Sequence, residues 1–286
     1  MSNNIENDPS GDAESFNENW KKRPETHYLH WTRDEPQNQI QLAFRRHWLT
    51  FQNLIGDRYG SKRSLEVGCG RGSLSAYFAD NQWDCTLLDL SSVAIEQAKK
   101  AFFDNNLKAN FQVADCLNMP FEDGEFDVVF SIGLLEHFEK LEDVLSEQYR
   151  VLADNGIFIG YVVPELLENC QKNYSWINDL LKSLLPEETK NAVTDKVDVY
   201  RSDSLSPPYI EIMSRLGMKE IGHSGIYPLP MISHSIEFPF SLLPKQAEFS
   251  LVKTFKNWLK IREQDSTDPW LCEEGYGQAF IIWGRK

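Results

Sequence analysis

The chain has 286 residues, 41% of them hydrophobic and 25% charged, the balance of a globular protein with enough apolar material for a large core. Its formal net charge of −14 argues against nucleic acid as a partner, because neutralising phosphates takes clustered Lys and Arg. No run of about 18 apolar residues is present, so no membrane-spanning helix is predicted, and the polar, acidic first residues are unlike a secretory signal, so a cytoplasmic protein without a membrane partner is expected.

Residues 1–19 are rich in Asn, Asp, Glu, Ser and Gly and read as a disordered tail. Residues 20–60 read as an aromatic segment followed by a helix. Trp20 to Arg33 holds His27, Tyr28, His30 and Trp31, and Ile40, Phe44, Trp48, Phe51 and Ile55 then recur at helical spacing. The aromatic segment fits either a lid over a ligand or packing of the helix onto a sheet; both readings stand for Tyr28 and Trp31, whereas Phe44 and Trp48 read as core. Lys21, Lys22, Arg23, Arg45 and Arg46 are either a local basic patch or a solvated face.

Residues 61–286 read as the main domain. Ser64 to Val67 is a short apolar strand and Leu74 to Ala79 the start of a helix, with Gly68, Gly70 and Gly72 between them and Glu66 just before. Glycines there let a ligand reach the backbone and allow positive φ, and the N–H groups opening the helix favour a polar or anionic ligand group. A dinucleotide fingerprint would need its third glycine where Ser73 stands, so the pattern is E-x-G-x-G-x-G. A tight turn alone would also account for it. Cys85 to Asp89 is a second strand ending in a carboxylate about 20 residues beyond the loop, the spacing that suits ribose hydroxyls; Asp89 also fits as a cap for a helix over Ser91 to Lys100.

Phe111 to Leu117 repeats the design, a strand ending in Asp115 and Cys116, and Phe126 to Ile132 is a fourth strand running into Glu136 and His137. These strand ends gather on the edge where open α/β sheets bind ligands. Glu147 to Gly156 reads as helix and turn, and Ile157 to Val163 as a fifth strand. Two additions follow, about 165–203 and 227–270. The first carries a helical apolar pattern at Trp176, Ile177, Leu180, Leu181 and Leu184; a helix then begins at Ser206-Pro-Pro, where Pro suits the first turn. Lys219 to Gly222 opens a sixth strand and Gly277 to Gly284 forms the last. The second addition holds Pro228, His234, Phe238, Phe240 and a helix over Lys245 to Arg262; it reads as an acceptor-pocket wall, or as a contact with a second copy in a homo-oligomer.

In order and in residues, Ser61 to Pro164 resembles the class I S-adenosylmethionine-dependent methyltransferases. The resemblance implies a Rossmann-like α/β fold: a doubly wound, mostly parallel sheet with an antiparallel terminal strand. It also implies S-adenosylmethionine as cofactor, with Glu66, Gly68, Cys69, Gly70 and Gly72 along its methionyl part and Asp89 on the ribose hydroxyls. Asp115 and Cys116 would then border the adenine, Leu90 and Ile132 would flank the ligand, and Tyr28 and Trp31 would cover it. Such an enzyme has only to align an acceptor behind an already electrophilic methyl group. His137, with Glu136 beside it, is the candidate general base, packing in the turn being its plain alternative; His30 and His234 are weaker candidates on the acceptor side.

Five cysteines, Cys69, Cys85, Cys116, Cys170 and Cys272, form no C-x-x-C pair and read as reduced thiols, and no metal-ligand spacing stands out. The expected activity is methyl transfer to oxygen or nitrogen of a small-molecule acceptor. A protein methyltransferase and a non-catalytic nucleoside-binding regulator are the alternatives.

Overall fold

Five parallel strands, β1 (Arg63–Val67), β2 (Asp84–Asp89), β3 (Asn110–Val113), β4 (Phe126–Ile132) and β5 (Leu152–Val162), form one part of an eight-stranded sheet. With β6 (Lys219–Ile226), β7 (Leu271–Cys272) and β8 (Ala279–Arg285), the sheet runs β3-β2-β1-β4-β5-β8-β6-β7. Strand β8 is antiparallel to both β5 and β6, and β7 to β6. The computed structural model describes residues 17–18, 20–21, 30–57, 60, 62–184, 200–233, 243–264 and 268–286. The order reverses between β1 and β4, which places the crevice of an open α/β sheet at the carboxyl ends of those strands.

Helices cover both faces, which is why the central strands are continuous apolar runs: Val128, Val129 and Phe130 of β4 are all fully buried. On one face lie α1 (Gln39–Ile55) and α2 (Ser73–Asp80), where Phe51 and Phe78 meet Phe130 with ring centroids 5.6 and 4.9 Å away. Helix α3 (Ser92–Asp104) packs Ile95, Ala98 and Phe102 into the same cluster. The other face is built by α4 (Leu141–Val151) and α7 (Pro207–Arg215), which bury Val144, Leu145, Tyr209 and Met213 against Val129, Phe158 and Phe280. Between them in the chain come α5 (Cys170–Asn173) and α6 (Ser175–Ser183), and α8 (Lys245–Arg262) packs Leu259 beside α1. No helix among the described residues is long and apolar enough to cross a membrane.

The mixed α/β fold and the antiparallel terminal pair are as the sequence predicts, and β4 occupies the expected range. Four details differ. Strand β3 ends at Val113, two residues before Asp115. The turn expected at Asp154 to Gly156 is folded into β5 as a bulge, with Asn155 at φ 63° and its N–H on the Lys286 carbonyl, so pairing with β4 is resumed rather than begun at Ile157. The two-residue β7 is too short for any periodicity to announce. Helix α6 is present but turned inside out: Trp176 is 61% and Leu180 53% exposed, while Asn178 is 1% exposed. Asn178 faces inward because its amide serves backbone, donating to the Met231 carbonyl at 3.0 Å and accepting from Ser233 N–H at 2.8 Å.

The basic patch at Arg45 and Arg46 is also otherwise engaged. Arg45 donates to the carbonyls of Thr32 and Asp34 at 2.6 and 2.8 Å, fastening the segment before α1 to that helix, and Arg46 pairs with Glu263 at 3.4 Å. Trp48 is buried and Phe44 packs half-buried against the same core, as expected.

Candidate functional site

The loop between β1 and α2 turns on backbone that only glycine adopts cheaply. Gly72, at φ 67°, is the N-cap of α2, and a Cβ on it would lie 2.2 Å from Leu87 Cδ2. Gly70, at φ 52°, donates its N–H to Asp89 Oδ2 at 2.8 Å, and Asp89 Oδ1 accepts from Ser91 N–H at 2.8 Å. The end of β2 therefore holds the glycine loop in shape. The cap of α3 is Ser91, which accepts from Ala94 N–H at 3.2 Å, so Asp89 does not serve as the helix cap. Cys69 donates its N–H to the Leu88 carbonyl, and burial pushes its thiol well above the usual range, which makes it an inert small side chain.

Glu66, at the same edge of β1, is buried and takes hydrogen bonds from Ser75: Oγ at 2.5 Å and N–H at 3.2 Å, both to Oε2. Burial pushes its carboxyl up to about 8; the Ser75 bonds oppose this and the Asp89 charge adds to it. Two carboxyl groups thus converge beside the loop. Farther along the edge, Asp115 is exposed and caps its own turn through Leu117 N–H at 2.9 Å, Cys116 is buried beside it, and Leu90 and Ile132 are half-buried.

After β4 the chain turns at Gly133, whose N–H reaches the Tyr161 carbonyl at 2.9 Å, and enters a one-turn 3₁₀ helix over Leu135–His137. His137 Nδ1 lies 2.7 Å from the Tyr200 carbonyl oxygen. A carbonyl only accepts, so the neutral ring carries its proton on Nδ1 and keeps Nε2 as a base. Burial lowers the pKa of His137 from 6.5, leaving it neutral at physiological pH. Glu136 points inward instead: it is buried, its pKa is raised to about 7 chiefly by burial, and its Oε2 has no hydrogen-bond partner among the described residues. The Tyr200–Ser202 stretch is tied across this turn, since Ser202 N–H also donates to the Glu136 carbonyl at 2.8 Å.

The N-terminal candidates separate. His30 is buried, with Nδ1 3.0 Å from Ser73 Oγ and its ring stacked on Phe44 at 4.7 Å, so it stands at the start of α2 on the glycine-loop side. Trp31 packs edge-on against Tyr77 of α2 at 6.4 Å, the packing reading. Tyr28 and His234 lie outside the described residues, as do His27, Phe238, Phe240 and most of residues 1–19.

Two features have no local signal in the sequence. Trp20 lies on the glycine loop, its ring atoms Cζ2 and Cη2 2.8 and 2.9 Å from where a Gly70 Cβ would be. The other is an aromatic cluster at the carboxyl end of β5. There Trp270 Nε1 donates to His47 Nδ1 at 3.0 Å, the His47 ring meets Tyr161 at 4.8 Å, and Tyr227 stacks on Trp270 at 4.8 Å. Burial pushes His47 down to about 3, so it is neutral, and the indole donor fixes its proton on Nε2. Tyr227 and Trp270 stand at the two ends of the second addition.

A family model described as a methyltransferase domain matches residues 65–160. The chain is 33% identical over 174 residues to YodH of Bacillus subtilis (strain 168), an uncharacterized methyltransferase, covering 52% of this chain and 73% of that one. It is 37% identical over 117 residues to the chloroplastic tocopherol O-methyltransferase of Arabidopsis thaliana, covering 40% of this chain but only 32% of the plant protein. Among solved structures, YcgJ of Bacillus subtilis superposes with a TM-score of 0.51 at 17% identity, covering 84% of this chain and 98% of YcgJ. The sheet order, the E-x-G-x-G-x-G loop bound to Asp89 and these similarities together place the chain in the class I S-adenosylmethionine-dependent methyltransferase family.

Proposed function

We propose that this chain transfers the methyl group of S-adenosylmethionine to an oxygen or nitrogen of a small-molecule acceptor. The observation that carries the reading is the placement at one sheet edge of the Asp89-held glycine loop after β1 and a tautomer-fixed His137 after the neighbouring β4. The crevice suits this cofactor. Asp89 is an acidic side chain at the crevice, held by two backbone N–H groups and chemically suited to a diol, and Glu66 is a buried carboxyl that no described cation neutralises, ready for a positively charged ligand.

When bound, the sulfonium supplies an electrophilic methyl group. The chain's own residues then bind, orient and exclude water. His137 Nε2 takes a proton from an acceptor that must lose one, and Tyr200 holds the ring for it. Tyr161, Tyr227 and Trp270 pack with His47 as a largely buried aromatic cluster at the carboxyl end of β5, which backs this edge of the sheet with apolar core. That the Arabidopsis relative is named for tocopherol supports a small-molecule acceptor.

A polypeptide acceptor is the second reading, favoured by the outward apolar face of α6. Incubating the chain and methyl-labelled cofactor with fractionated extract distinguishes these readings. Label in the low-mass fraction is expected; label in protein alone would mark a protein methyltransferase, and cofactor binding without transfer would mark a non-catalytic nucleoside-binding protein.

A further inference from the structure

His137 owes its tautomer to the Tyr200 carbonyl, so whatever holds the stretch from Tyr200 to Ser206 also decides which ring nitrogen can act as a base. That stretch has two footings. At Ser202 it is stitched to the ends of β4 and β5, its N–H donating to the Glu136 carbonyl at 2.8 Å and its carbonyl accepting from Glu165 N–H at 2.9 Å. At Ser206, the buried N-cap of α7, it is gripped by one carboxylate from the turn between β7 and β8. Glu274 Oε1 accepts the Ser206 N–H at 2.5 Å, and Oε2 accepts the Ser206 hydroxyl at 2.8 Å. His223 of β6 completes the group, with Nδ1 2.8 Å from the same Oε2 and 3.0 Å from Ser206 Oγ.

Serine, histidine and a carboxylate in mutual contact are the parts of a nucleophilic triad, in which the ring meets the carboxylate with one nitrogen and the hydroxyl with the other. Here both partners meet Nδ1. A carboxylate only accepts, so Nδ1 carries a proton, and the hydroxyl donates to Glu274 rather than to the ring. Ser206 therefore has no base and is held, not activated. The holder is itself fixed: a Cβ on Gly225 of β6 would lie 2.2 Å from the Glu273 carbonyl oxygen, so the turn that carries Glu274 sits flush on the sheet. We propose that Glu274 is a positioning residue for the methyl transfer: by gripping Ser206 it sets the 200–206 stretch, and through the Tyr200 carbonyl it keeps the His137 proton on Nδ1 and Nε2 open to the acceptor. The inference rests on the reading of His137 as the base.

The tautomer can be read directly, because the nitrogen chemical shifts of a neutral imidazole differ between a protonated and an unprotonated ring nitrogen. The experiment is nuclear magnetic resonance on the full chain with nitrogen-labelled histidine, in mildly alkaline solution where the ring is neutral, the His137 signals being assigned by their loss in His137→Asn. In the wild type the proton sits on Nδ1. Glu274→Ala should move part of it to Nε2 and slow label transfer to the low-mass extract fraction by about tenfold, less than loss of the base itself, with S-adenosylhomocysteine affinity close to wild type. Glu274→Gln, whose amide can accept from the Ser206 N–H and donate to its hydroxyl, should keep the wild-type tautomer and rate. Ser206→Ala loses the hydroxyl bond alone and should shift the tautomer the same way by less; it decides the matter where Glu274→Ala does not fold. An unchanged tautomer in the folded variant would overturn the proposal and leave Glu274 a brace of α7, even if the melting temperature fell. A Gln variant shifted as far as the Ala one would also overturn it, since the effect would then follow charge rather than grip. A wild-type transfer rate in His137→Asn would instead overturn the reading of His137 as the base, whatever the tautomer does in Glu274→Ala.

Discussion

Asp89 Oδ2 accepts the Gly70 N–H at 2.8 Å, joining the end of β2 to the middle of the glycine loop. The bond does two things at once. It fixes a loop whose glycines sit at positive φ, and it holds a buried acidic side chain at the crevice.

Replacing Asp89 with Ala should weaken S-adenosylmethionine binding by at least ~1 kcal/mol, because charge-assisted hydrogen bonds to the ribose are lost and the loop loses its brace. Calorimetric titration decides it. Unchanged affinity in a folded variant would remove Asp89 from the site.

Cofactor affinity should depend on Glu66 through pH. Its carboxyl, raised to about 8 in the ligand-free chain, is mostly protonated at neutral pH, whereas a cationic ligand favours the carboxylate. Affinity should therefore rise as pH increases through about 8 and then level off. The stability of the ligand-free chain should move the other way. The folded pKa lies above the ordinary 4.5, so the folded state keeps a proton the unfolded state has lost, and the contribution present below 4.5 falls away as pH rises to about 8. Glu66→Gln should flatten both profiles; a Gln variant with the wild-type slopes would contradict this.

His137→Ala should lower kcat by roughly 10²- to 10⁴-fold with cofactor affinity near wild type, the pattern of a lost general base. Burial holds the imidazole pKa below 6.5, so wild-type activity should persist through neutrality and drop only on the acid side of that value. A folded variant with near-normal kcat on its true acceptor would leave positioning alone to account for the reaction.

Gly72→Ala tests the architecture rather than the chemistry. The position combines φ 67° with a Cβ 2.2 Å from Leu87 Cδ2, so strain and overpacking add, and a loss of about 2–4 kcal/mol in stability is expected from chemical denaturation. A loss under about 0.5 kcal/mol would show that the loop relaxes freely.

What was legible in the sequence is what local rules control. β4 was readable because a run of apolar residues buried on both faces needs no partner to identify it, and the Glu66 to Gly72 loop because glycine at such spacing has a backbone cause. The place of Asp89 at the end of the second strand was readable from the apolar run before it. The direction of α6 was not, since an apolar stripe normally turns inward and here Asn178 is drawn in by the backbone of Met231 and Ser233, more than fifty residues later. Long-range partners hid the rest in the same way. His47 meets Trp270 across 223 positions, and nothing near Trp20 announces Gly70. His30 was read toward the acceptor from its place in the expected lid, and its contact with Ser73, a partner 43 positions later, had no signal in the sequence.

A crystal structure of the chain with S-adenosylhomocysteine tests the central claim most directly. The account predicts ribose hydroxyls on Asp89, the amino-acid end beside Glu66 and the glycine loop, the adenine by Asp115 and Cys116, and the sulfur facing a space bordered by His137 and Tyr161. A ligand bound away from Asp89, or a sulfur turned from His137 toward closed core, would contradict it.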